Sequence, residues 1–105
     1  MASISQAILL VIEIGVGCPG VDADAMHKAF TLPLEQRLSD IRGVAQMSSA
    51  TSLGESHIGL EFVAGDDIER ARQDVKAATD VVLSGLAGSL SCDSARIALV
   101  EKGQR

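Results

Sequence analysis

The sequence predicts an α+β domain in which two helices cover one face of a four-stranded antiparallel sheet. Three observations carry that expectation. Short β-type runs and amphipathic helical stretches alternate in the order β-α-β-β-α-β, the split βαβ or ferredoxin-like signature. The 105 residues suffice for one hydrophobic core and not for two, so residues 1–105 are read as a single domain. Apolar residues make up 47% of the chain but only Phe30 and Phe62 are aromatic, so the core must be aliphatic.

The first strand is expected over Ala7 to Ile14, a dense apolar run with Ile8, Leu10, Ile12 and Ile14 on one face. The stretch "GVGCPG" then reads as a breaker, and Asp22 as the N-cap of a helix with Asp24 in its first turn. Along that helix Met26, Phe30, Leu34, Leu38 and Ile41 recur at three- and four-residue spacing, with Gly43 as its C-terminal stop. Pro33 interrupts this pattern, at a cost of about 3 kcal/mol in a regular helix interior.

"VAQMSSATS" and "SHIGLEF" read as the arms of a hairpin around Leu53 and Gly54, with Ile58, Leu60 and Phe62 alternating against His57, Gly59 and Glu61. Asp66 or Asp67 then caps a second helix, whose apolar face carries Ile68, Ala71, Val75, Ala78, Val82 and Leu86. Its other face is charged, with Glu69, Arg70, Arg72, Asp74, Lys76 and Asp80. A last strand is expected over Ala95 to Val100, followed by a frayed "EKGQR". The sheet face away from the helices, with Leu9, Val11, Ala98 and Val100, is less polar than a solvated face and is expected to pack on a neighbour.

Several functions are set aside. A net charge of −5 without a Lys/Arg run argues against nucleic acid. No apolar run reaches the length of a membrane span, and "MASISQ" lacks the cationic start of a signal peptide, so the chain reads as soluble with no targeting segment. No nucleophile, base and acid stand at motif spacing, and the glycine-containing stretches lack the residues of a phosphate loop, so no enzyme activity and no cofactor are expected.

Cys18, His57 and Cys92 are expected at one end of the sheet. Three states are open to them: two separate thiols, the preferred reading, a Cys18–Cys92 disulfide, or a soft-metal site with Met26 or His27 nearby.

The succession "CPGVDADAMHKAFTLPLEQRLSDIRGVAQMSSATSLGESHIGLEF", followed by "AGDDIERARQDVKAA", resembles the first periplasmic porter subdomain of resistance-nodulation-division (RND) efflux transporters, of the acriflavine-resistance and heavy-metal type. The likeness runs from Gly17 to about Ala78 and more loosely to Lys102; Cys18 stands where the family commonly has tyrosine, and Pro33 where it commonly has proline. The resemblance implies a piece of a proton-driven pump, contributing to the periplasmic substrate channel and to the core of a trimer. It implies other porter subdomains and protomers as partners, a homo-oligomer, and attachment to the inner membrane only through transmembrane segments outside these residues. The second helix would then gather at the trimer axis, making Arg70, Arg72 and Asp74 the candidate contacts between chains. On the isolated chain the same residues read as a solvated face with partners such as Arg70 and Asp74. The alternative function is a free-standing ferredoxin-like module that binds a small ligand or regulates a partner as a dimer, through its sheet.

Overall fold

The spine of the sheet is β1 (Leu9–Gly17), flanked on both sides by antiparallel neighbours. The structure, a computed structural model, describes residues 9–63, 67–86, 90–93 and 95–102, with the backbone alone at Leu9, Val63, Glu101 and Lys102. Among these residues β2 (Val44–Ser52), β3 (Glu55–Val63) and β4 (Arg96–Lys102) join β1 in a four-stranded sheet of order β2-β3-β1-β4. This is the split βαβ order, with the first and last strands side by side. The expected Asp66 cap and the start of β1 at Ala7 and Ile8 lie outside the described residues. Of the "EKGQR" expected to fray, Glu101 and Lys102 instead extend β4 by pairing with Leu10 and Leu9, and the last three residues lie outside the described ones.

The strand β1 runs three residues past its expected end. Gly15 pairs with His57, Val16 with Ser56 and Gly17 with Glu55, so "GVG" is strand instead of breaker. At Gly15 the reason is steric: a Cβ there would lie 3.3 Å from His57 Nδ1 and 3.7 Å from Arg96 Nη2. The missing side chain makes room for its two cross-strand neighbours.

The first helical layer is three segments in one continuous path: α1 (Ala23–Met26), a π-helical turn over His27–Thr31, and α2 (Leu32–Leu38). Asp22 caps its start by accepting from the Ala25 N–H at 2.8 Å. The helix ends at Leu38, not near Gly43; turn bonds such as Ile41 N–H to the Leu38 carbonyl follow, and Gly43 (φ 97°) leads directly into β2. The hairpin forms as expected around Leu53 and Gly54, with a bulge between Val44 and Gln46.

The second helix, α3 (Ile68–Leu86), starts at Asp67, whose carboxylate accepts from the Arg70 N–H at 3.1 Å. It buries Ala71, Val75, Thr79, Val82 and Leu86; the Thr79 hydroxyl is satisfied by donating to the Val75 carbonyl. One core joins α1–α2 (Met26, Phe30, Leu34, Leu38), α3, and the sheet face of Ile12, Ile14, Val16, Ile58, Leu60 and Phe62. The edge strand β4 is covered less well: Leu99, opposite the fully buried Ile12, stays 42% exposed.

Candidate functional site

The charged face of α3 divides into two flanks because a helix turns about 100° per residue and positions four apart share a side. Arg70 and Asp74 line a groove of about 690 Å³ toward the end of α2, together with Arg37, Asp40, Arg42 and Asp67. Arg72 lies on the opposite flank, in a hollow of about 310 Å³ shared with Glu69, Lys76 and Ile97 of β4. The three candidate contact residues therefore do not form one cluster.

Their pairing differs as well. Arg72 meets Glu69 at 3.7 Å and Lys76 meets Asp80 at 2.9 Å, both exposed pairs worth a few tenths of a kcal/mol. Arg70 and Asp74, which the spacing presents as partners, form no ion pair among the described residues. The groove beside α2 thus carries three guanidinium groups and three carboxylates with no ion pair between them among the described residues.

At the far end of β1 the three metal-ligand candidates separate. Cys18 and Cys92 are joined in a disulfide across 74 residues, which corrects the preferred reading of two separate thiols. The cause is register: Cys18 continues the buried phase of Ile12, Ile14 and Val16, and the Asp93 N–H donates to the Gly17 carbonyl at 2.7 Å, drawing Cys92 alongside. His57, in the opposite phase of β3, sits on the other sheet face with Glu55 at 3.4 Å. The structure thus does not assemble Cys18, His57 and Cys92 as a ligand set, and among the described residues no group of three or more His, Cys, Asp or Glu side chains is placed to hold a metal.

The face of the sheet away from the helices holds a shallow groove of about 540 Å³, floored by Gly15, Gly59 and Ala98 and edged by Glu13, His57 and Arg96. Val11 is buried on this face at 7% exposure, while Val100 is 37% exposed. The expected apolar character is therefore real toward the β1–β4 edge and polar toward the hairpin.

One buried polar grouping was not expected from the sequence. The fully buried Thr31 hydroxyl lies 2.6 Å from Ser56 Oγ and 2.8 Å from Thr51 Oγ1, tying the π turn to both arms of the hairpin. Ser56 shares the period-two phase of Ile58, Leu60 and Phe62, which was the available signal for its burial.

Fold and surfaces together define the class: a split-βαβ module with one sheet face covered by helices and a charged outer helix face. A sequence profile described as the AcrB/AcrD/AcrF family matches residues 6–96, and the chain belongs to that family of RND efflux transporters. Its relatives include the Multidrug resistance protein MdtC of Salmonella paratyphi B, of Salmonella heidelberg and of Salmonella enteritidis PT4. Each is 37% identical over 90 residues, covering 86% of this chain and 9% of the relative. The chain thus spans under a tenth of the length of these curated relatives. No helix among the described residues is long and apolar enough to cross a membrane.

Proposed function

We propose that this chain is the first periplasmic porter subdomain of an RND-type multidrug efflux transporter. In that role it forms part of the substrate channel and packs through α3 into the core of a trimer. The proton flux that drives such a pump belongs to membrane helices outside these residues, so the contribution of this domain is mechanical. It is a stiff body that shifts against neighbouring porter subdomains and protomers on the periplasmic side of the inner membrane.

The observation that carries this reading is the unpaired array beside α3. Arg70 and Asp74 have no ion-pair partner among the described residues, in a chain whose family builds transporters. A neighbouring copy of α3 supplies the opposite charges, and Arg72, paired only weakly to Glu69, adds a contact on the other flank. Sedimentation of the chain tests this. The wild type is expected to associate with rising concentration, Asp74→Arg to stay monomeric, and Arg70→Glu combined with Asp74→Arg to recover association. A wild type that is monomeric throughout, or variants that sediment identically to it, would remove the trimer-core role.

A second reading, a soluble module that dimerises or binds a small ligand through its sheet, is favoured by the open groove over Gly15 and Gly59. Ala98→Arg fills that groove. It would abolish self-association under this reading and leave it intact under the first.

A further inference from the structure

Cys18 and Cys92 are joined by a disulfide, and the two residues are buried to different extents. Cys18 has no exposed surface and belongs to the central core, whereas Cys92 is only partly buried, between the exposed Ser91 and Asp93. The bond closes one end of the domain, where three backbone segments already converge. The Cys18 N–H donates to the Gly54 carbonyl at 2.7 Å, the Gly54 N–H to the Val21 carbonyl at 2.6 Å, and the Asp93 N–H to the Gly17 carbonyl at 2.7 Å.

We propose that this disulfide is a clasp formed in an oxidising compartment, and that the Cys92 sulfur is its single point of entry for thiols. Formation transfers two electrons from the two cysteine thiols to a disulfide oxidant: both S–H bonds break, one S–S bond forms, and the oxidant leaves as two thiols. Structural disulfides persist outside the reducing cytosol, so the clasp belongs on the periplasmic side. The inference rests on the porter reading only for where the oxidant is met.

Opening runs in the reverse sense. An incoming thiolate reaches the Cys92 sulfur from solvent, forms a mixed disulfide there and expels the Cys18 thiolate, which takes up a proton. Attack on Cys18 would require the nucleophile to enter a fully buried site. A second thiolate then attacks the mixed disulfide and frees Cys92. Expelling a buried thiolate is costly, so dilute thiols open the clasp slowly.

Two measurements on the unmodified chain decide this. After equilibration with excess oxidised glutathione, denaturation and iodoacetamide labelling, intact mass is expected to show no label and no glutathione; any free thiol or retained glutathione overturns the clasp. During timed exposure to excess reduced glutathione, with aliquots acid-quenched before reduction is complete, peptide mass mapping is expected to find at least about tenfold more glutathione on Cys92 than on Cys18. Equal adducts, or an excess on Cys18, overturn the entry point. Neither result depends on assembly, so failure of the porter role, read by sedimentation, is separately visible.

Discussion

The backbone N–H of Leu32 donates to the carbonyl of His27, five residues back and one position before Pro33. That wider turn lets the helix open where proline would otherwise clash with the carbonyl four residues earlier. Pro33 then falls in the first turn of α2, where a missing N–H costs little.

Pro33→Ala should therefore raise stability by less than about 1 kcal/mol, instead of the roughly 3 kcal/mol expected from relieving a proline in a regular helix interior. Urea denaturation of the two proteins measures the difference. A gain near the larger figure would show that the π turn does not accommodate the ring.

The Thr31 hydroxyl is shared between Ser56 and Thr51 with no solvent exposure. Thr31→Val keeps the volume but leaves Ser56 short of a partner, and should destabilise the chain by about 1–3 kcal/mol. Adding Ser56→Ala should recover part of that loss, which a double-mutant cycle would read directly.

Reducing the Cys18–Cys92 bond releases a loop spanning 74 residues in the unfolded chain. The chain-entropy relation puts its contribution at about 4 kcal/mol, a large share of a small domain's stability. Thermal melts with and without dithiothreitol should differ accordingly, and Cys92→Ser should melt like the reduced protein in both buffers.

Gly54 adopts φ 71°, and a Cβ there would lie 3.2 Å from the Cys18 carbonyl oxygen. Gly54→Ala should cost at least about 1–2 kcal/mol from the left-handed conformation alone. Gly20 is also left-handed (φ 84°) but has open space around it, so Gly20→Ala should cost less. The gap between the two melting temperatures isolates the contact with Cys18.

Where a periodicity controlled the outcome, the fold was legible in the letters. The alternation of Ile58, Leu60 and Phe62, and the helical spacing of Met26, Phe30, Leu34 and Leu38, placed those residues in the core, where they are found. The glycines misled because a strand interior tolerates Gly15 and Gly17 when neighbours use the vacant space, which depends on the register with β3 and β4. Gly43 misled similarly: it is left-handed, as a helix stop would be, but the helix had already ended at Leu38.

At the candidate site, composition and spacing marked α3 as charged but did not separate its flanks. Arg70 and Asp74 point to a groove built by α2, and Arg72 to one built by β4, so their roles depend on packing between elements far apart in sequence. The Cys18–Cys92 bond was equally non-local: the topology brought both residues to one end, and only the phase of each strand separated a bond from two thiols and set His57 on the other face.

The pairing of Leu9 with Lys102 also has a mechanical meaning. The outer ends of β1 and β4 lie side by side, so a pull on both peels the ladder rung by rung like a zipper instead of shearing all its bonds at once. The Cys18–Cys92 link sits at the opposite end of that zipper and acts as its stop. Under such a load the ladder would open from its outer end and stop at the covalent link, which keeps β1 tethered to the segment that leads into β4.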